Sequence, residues 1–421
     1  MLFIRFNFLK RISFRYFVAR KRQVKSRKKA MKYCYLKAGV LLALGTAILA
    51  ACDKFNTEEP LPQEPAPFVS LEEVARLFAS LPLEAQHLEE VHDAASASAG
   101  NGYDEEYRMQ DLFRAPGSGV GDDGETKSAK YPHPLRELLH DAVLSTKAGE
   151  GDAEAWLDSL SLSDVQIYWP YSDSWNGEGL PIITYDTGDG ALRNEGFALK
   201  SDGTVEKILV SEEMAAERPV WVMNRNSDAD YKSLELRRRE DPSWGSGGGD
   251  ILVKADAPEL RTLVLRSFKA KRQFDSWLAG GSEFFCKVGA VEDFTASTEA
   301  ELRLYEPSIT DFMIVVRRSQ VREVLQPYAV LVSEWNTSEK TGLSSCAFML
   351  IEDDGGTRTS WKCSATVKYN SKAYGIDLEI PLYTRDDIVW RGSLTRSYIE
   401  KYSGRAIGFG DVELFLELIS L

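Results

Sequence analysis

The sequence predicts an α+β protein that is mainly β: a helical N-terminal region over 69–162, a β-rich middle domain over 163–306, and a C-terminal Ig-like or C2-like β-sandwich over 307–421. Three observations predict it. Apolar residues recur at helical spacing behind a capping box at Ser70. From residue 163 onward, short apolar runs alternate with turn signals about every 8–12 residues. Six such runs crowd into the last ~110 residues, the size of a sandwich domain.

The helical region opens on Ser70-Leu71-Glu72-Glu73, in which serine and glutamate satisfy each other's backbone N–H groups. Leu71, Val74, Ala75 and Phe78 then share one helical face. Pro82 stops this helix, and a second runs from Leu83 to Ala95. Further helices are expected over Asp104–Phe113, Pro134–Ser145 and Asp152–Leu160. Ala115–Lys130 (APGSGVGDDGETKSAK) has almost nothing to bury and reads as a loop.

In the middle domain, Val165–Trp169 is a strand ended by Pro170. SDSWNGEG is a turn and Leu180–Tyr185 a strand. Gly196–Leu199 and Val205–Val210 flank Ser201-Asp202-Gly203 as a hairpin, and Pro219–Met223 follows. Ser243–Gly249 interrupts the pattern before strands at Asp250–Val253, Thr262–Lys269, Phe284–Val288 and Glu301–Tyr305. The sandwich strands are Asp311–Arg317, Tyr328–Glu334, Cys346–Ile351, Thr359–Tyr369, Tyr374–Pro381 and Asp411–Glu417. Ile376-Asp377-Leu378-Glu379-Ile380 alternates strictly, which gives that strand one wet face.

Ahead of these regions, Met31–Cys52 (MKYCYLKAGVLLALGTAILAAC) has a basic start, an apolar run and small residues before a cysteine. The run is about 11–14 residues, short of the ~20 that span a bilayer, and acids follow it. This is the pattern of a secretory signal, assigned here to 1–51. Met31 opens a complete signal by itself, so 1–30 reads as the product of a start placed too early. Leu49-Ala50-Ala51-Cys52 resembles the lipobox of bacterial lipoproteins. That resemblance implies acylation of Cys52, cleavage before it and anchoring in a membrane of the bacterial cell envelope, at the periplasmic face of the outer membrane or at the cell surface. Residues 52–68, with four prolines in DKFNTEEPLPQEPAP, form a lipidated tether. The acids behind Cys52 resemble the export signals of Bacteroidetes-type surface lipoproteins, interrupted by Lys54 and Phe55. The whole chain is similar to uncharacterised lipoproteins of that type, from which no activity carries over.

The 13 Lys and Arg ahead of Cys52 leave 38 basic against 64 acidic residues, a formal charge of −26 on the remaining 370 residues. Such a field repels phosphate backbones and argues against nucleic-acid binding. It also leaves the acyl chains, rather than surface charge, as the membrane contact. With Cys52 acylated, Cys286, Cys346 and Cys363 remain. Cys346 and Cys363 are equidistant from the turn Asp353-Asp354-Gly355-Gly356, so a regular hairpin would set them face to face as a disulfide.

No phosphate loop, HExxH, CxxC or GxSxG occurs, and all four histidines lie in the helical region. No catalytic residue and no cofactor is therefore assigned. His133, Glu137 and His140 share a helical face and are zinc-ligand types, but ~10.5 Å of axial rise separates the histidines and no metal is assigned to them. The acid pairs Asp122-Asp123, Asp186/Asp189, Asp228/Asp230 and Asp353-Asp354 match no EF-hand spacing. Turn-borne aromatics remain. Tyr171 and Trp175, in and beside SDSWNGEG, are the candidate contacts for a polysaccharide or protein ligand. The expected function is a non-catalytic binding or envelope-assembly module. The alternatives are a carboxylate-dependent, glycosidase-like extracellular hydrolase in the middle domain, or a purely structural envelope protein.

Overall fold

The computed structural model describes residues 69–114, 130–146, 150–200, 203–226, 231–240, 261–291, 296–305, 307–332, 335, 342–354 and 357–420. All of them belong to the compact unit Pro65–Leu421. The expected leader 1–51, Cys52, the expected tether 52–68, the expected Ala115–Lys130 loop up to residue 129, Ser243–Gly249 and the expected strand Asp250–Val253 lie outside the described residues. Among the described residues the protein is mainly β, with nine α-helices and sixteen strands in three sheets. None of the described helices is long and apolar enough to cross a membrane.

The first sheet has the order β1-β2-β6-β3-β4-β5. Its strands are β1 (Glu106–Arg108), β2 (Val165–Tyr168), β3 (Ile182–Tyr185), β4 (Arg193–Leu199), β5 (Val205–Ser211) and β6 (Val220–Arg225). Only β3 and β6 run parallel. Side-chain alternation gives the sheet two apolar faces. Ile167, Trp169, Ile183, Trp221 and Met223 point to one core, and Tyr168, Ile182, Val220 and Val222 to another.

The first face is covered by α1 (Leu71–Ser80), α2 (Ala85–Gly100), α3 (Met109–Leu112), α4 (Leu135–Thr146) and α5 (Glu150–Ser161). Helix α1 forms as its sequence dictates. The Ser70 hydroxyl accepts from Glu73 N–H, and Val74, Ala75, Phe78 and Ala79 are buried. Two expectations fail locally. Asp104–Phe113 is a short strand followed by one helical turn, because Tyr107 is drawn opposite Ile167 on β2. Glu301–Tyr305 is not a strand: Thr298 caps a helical turn over Glu299–Leu302.

The second face is covered by the loop between β7 (Arg261–Ala270) and β8 (Ser282–Ala290). Trp277 and Leu278 insert there. Trp277 Nε1 donates to Leu192 O at 2.9 Å, and Asn224 Nδ2 donates to Leu278 O and Ala279 O at 3.2 and 2.5 Å.

Strands β7 and β8 themselves belong to the sandwich. One of its sheets runs β10-β7-β16-β15, the other β13-β12-β11-β8-β9 with β14 added on β11. The partners are β9 (Ser308–Val316), β10 (Ala329–Val332), β11 (Gly342–Glu352), β12 (Arg358–Tyr369), β13 (Lys372–Tyr383), β14 (Asp387–Thr395), β15 (Arg405–Phe409) and β16 (Val412–Ser420). One apolar core joins the two sheets, with Phe268 and Phe284 at 5.1 Å across it. The expected borders at 162/163 and 306/307 therefore do not divide the chain. β1 pairs with β2 across the first, and β8 pairs with β9 across the second. The helical region and the first sheet are two layers of one assembly, and the sandwich begins at β7.

The expected Cys346–Cys363 disulfide is corrected. Both are free thiols, as is Cys286. The reason is a change of partner. β11 pairs with β12 only from Gly342 to Ser345, after which β14 takes that edge. Cys346 thus faces Leu394 on β14, while Cys363 faces Leu378 on β13. The strict alternation expected around Leu378 does hold, with Leu378 and Ile380 buried and Asp377 and Glu379 exposed.

Candidate functional site

The turn that follows β2 builds an aromatic cleft. Pro170 cannot continue the ladder, and Tyr171 takes a left-handed backbone, φ 61°. Ser172–Ser174 then form a single tight turn, and Trp175 returns to an extended conformation. Gly177 and Gly179, both at φ 87°, carry the chain round to β3, a conformation that costs glycine nothing. Glu178 N–H donates to the Asn176 side chain at 3.0 Å, and Trp175 Nε1 donates to Glu178 O at 2.9 Å. The loop is thus closed by its own hydrogen bonds.

Trp169 is the floor. It is fully buried and lies 5.2 Å from Trp175 and 5.9 Å from Trp221, ring centre to ring centre. His92 of α2 packs on both neighbours, 5.8 Å from Trp169 and 5.1 Å from Trp175, with Nε2 3.2 Å from Ser172 O. The far wall is the end of α6 (Glu212–Glu217) and the turn into β6. Between the walls lies a cleft of about 460 Å³ lined by Trp169, Tyr171, Trp175 and the polar side chains of Asn176, Glu178, Glu217 and Arg218. The structure therefore brings both aromatics singled out in the sequence, Tyr171 and Trp175, into one concave surface.

Two buried acids hold this turn from below. Glu105 accepts from Tyr171 N–H and from the Ser172 hydroxyl, each at 3.3 Å, with Arg317 Nη1 3.8 Å away. Burial, and then the charge of Asp104, push the Glu105 carboxyl up to about 8; Arg317 opposes the shift. Asp104 accepts from Gly281 N–H at 2.6 Å and from Glu105 N–H at 2.9 Å, and burial raises it too. Tyr171 is tied at its other end, donating to Glu212 Oε1 at 2.9 Å. None of these anchors was singled out in the sequence. Asp104-Glu105 stands in a stretch read as helix, and only the pairing of β1 with β2 brings it under the turn.

The other candidates separate. Trp221, Trp277 and Trp335 are core residues rather than contact surfaces. His140 turns to α5, with Nε2 3.3 Å from Glu154 Oε1, instead of joining His133 and Glu137. Asp186 and Asp189 cap their own turn, accepting from Gly188 and Ala191 N–H at 3.1 Å each. Asp122, Asp123, Asp228 and Asp230 lie outside the described residues. Asp353 and Asp354 join a set of acids at one end of the sandwich, with Asp275, Glu283 and Glu352 at its centre.

Comparison with family models, with curated proteins and with solved structures finds no match to the chain.

Proposed function

We propose that the chain is an exported lipoprotein, held to a bacterial cell-envelope membrane by acyl chains on Cys52, whose body binds a polysaccharide or protein segment without turning it over. The observation that carries the binding reading is the aromatic cleft. Tryptophan and tyrosine rings flanked by amide, carboxylate and guanidinium groups suit a ligand with an apolar face and polar edges. The lipobox and the proline-rich tether support the anchoring, and the acidic body leaves the acyl chains as the membrane contact.

The hydrolase reading is weaker at this cleft. Its two carboxylates, Glu178 and Glu217, are both exposed. A general acid for glycoside cleavage sits in an apolar surrounding that keeps its proton on.

The test is a calorimetric and tryptophan-fluorescence titration of the full chain in detergent against a panel of oligosaccharides and peptides. Trp175→Ala weakens binding by about tenfold or more, the worth of one stacked ring, and leaves the fold intact. Binding that ignores Trp175→Ala moves the contact elsewhere. Turnover abolished by Glu178→Gln or Glu217→Gln replaces the binding reading with the hydrolase. In cells, Cys52→Ala shifts the chain from the membrane to the soluble fraction; continued membrane fractionation removes the anchoring half of the proposal.

A further inference from the structure

The sandwich concentrates negative charge where three separate segments meet. Asp275 lies in the loop between β7 and β8, Glu283 is the second residue of β8, and Glu352 is the last residue of β11. One carboxylate oxygen from each lies within 4.8 Å of the other two. The register fixes them. Glu352 stands opposite Phe284 on β8 and Asp387 on β14, and Asp353 N–H donates to Glu283 O at 3.0 Å. Asp353, Asp354, Asp386 and Asp387 bring four more acids to the same end of the sandwich.

An acidic cluster alone says little, since exposed acids are common. Here the central acid is different. Glu352 is 0 % exposed, and among the described residues neither of its carboxylate oxygens meets an N–H or hydroxyl donor; its one side-chain neighbour in hydrogen-bond reach is another acid, Asp275. Asp275 Oδ2 also lacks a donor. The guanidinium of Arg318 is close and its charge favours ionised Asp275, but it donates to Gly280 O at 2.9 Å and to Asp275 O at 2.7 Å and lies 3.6 Å from Glu212 Oε1. Lys287 is committed to Asp311 at 2.7 Å. A buried carboxylate without a donor is strongly unfavourable unless a proton or a cation lies against it.

We propose that Asp275, Glu283 and Glu352 bind one calcium ion that ties the ends of β8 and β11 to the β7–β8 loop. The ligand set is all oxygen, with no histidine or cysteine in it, which selects a hard cation. Three carboxylates offer six oxygens, within the six to eight that calcium takes at variable angles. Magnesium demands a tighter octahedron and keeps much of its water, which suits a buried glutamate less well. The ion also has a structural consequence. The loop it fastens carries Trp277 and Leu278 into the back of the first sheet, so occupancy strengthens the join between sheet and sandwich.

The experiment uses the full chain in detergent. Calcium uptake is measured by titration calorimetry, and Tm is recorded in calcium and in EDTA. One ion binds per chain, and calcium about a hundredfold above Kd raises Tm by about 5 °C. Glu352→Gln cuts calcium affinity by about a hundredfold or more, yet raises Tm in EDTA because a buried charge is gone. If that variant does not fold, Asp275→Asn, in a half-buried loop, carries the same affinity test. Three outcomes overturn the proposal. They are no uptake up to about 5 mM calcium, uptake unchanged in both variants, or an equal response to magnesium.

Discussion

The aromatic cleft and the acidic cluster are opposite solutions to holding polar chemistry against a core. The cleft is made largely from one contiguous turn, Trp169 to Leu180, whose tip is closed by its own bonds between Glu178 and the Trp175 and Asn176 side chains and whose base is tied to Glu105 and Glu212. The acidic cluster is assembled from three distant segments, and among the described residues its central carboxylate meets no N–H or hydroxyl donor, only the Asp275 carboxyl. A self-closed turn keeps its shape with or without a ligand. A buried set of like charges is completed only by something from outside. The comparison assigns the first a preformed binding surface and the second a dependence on its occupant.

The largest effect expected on the cleft side is at its floor. Trp169 touches His92, Trp175 and Trp221, and its removal leaves a cavity where three rings meet. Trp169→Ala costs about 3–5 kcal/mol, read by denaturant unfolding, and abolishes ligand binding together with stability. Trp175, at the half-exposed edge, separates the two properties. If Trp169→Ala were as mild as an exposed substitution, the stacked floor would not support the turn.

This contrast also explains what the sequence could reveal. Tyr171 and Trp175 were legible because proline, glycine and asparagine mark the turn that presents them, and turn chemistry is local. Helix α1 and the β4–β5 hairpin were legible for the same reason: a capping box and a central turn lie within a few residues of what they control. The acidic cluster was half-legible. Asp353-Asp354 reads as a turn, and nothing near it announces Asp275 or Glu283. Their meeting depends on β11 pairing with β8 and β14, a long-range register that no local pattern encodes. The misassigned disulfide has the same origin. Symmetry about a turn describes a regular hairpin, but β11 leaves β12 at Ser345. The domain borders failed because β7 and β8 precede the chosen boundary yet pair beyond it.

A second prediction asks whether the cleft is as self-sufficient as its hydrogen bonds imply, since Glu105 beneath it is buried and shifted. Its carboxyl titrates at about 8 in the folded chain against an ordinary 4.5. Between these values the folded state holds a proton that the unfolded state has released. Stability is therefore highest below 4.5, falls as pH rises through the window, and bears the whole penalty above about 8. Other raised acids add slopes of their own, so the informative quantity is the difference between wild type and Glu105→Gln. Glutamine keeps an acceptor for Tyr171 N–H and cannot ionise. The unfolding free energy of the variant is expected to gain on wild type steadily from pH 5 to 8. Parallel curves would mean that Glu105 is not the titrating group under the turn.

The smallest effect distinguishes support from contact. Tyr171 is held in a left-handed conformation that costs a non-glycine residue about 1 kcal/mol. Its hydroxyl donates to Glu212, and its backbone N–H donates to Glu105. These two bonds fix the residue from both ends, and they offset the strain. Tyr171→Phe deletes the hydroxyl bond alone and keeps the ring in the cleft wall. The expected loss is about 1 kcal/mol in denaturant unfolding, with ligand affinity unchanged within twofold to threefold. If the stability is intact and the affinity falls about tenfold instead, the hydroxyl contacts the ligand rather than the protein. Tyr171 would then be a reading residue of the cleft, and the turn's rigidity would rest on Glu105, Asn176 and the two glycines alone.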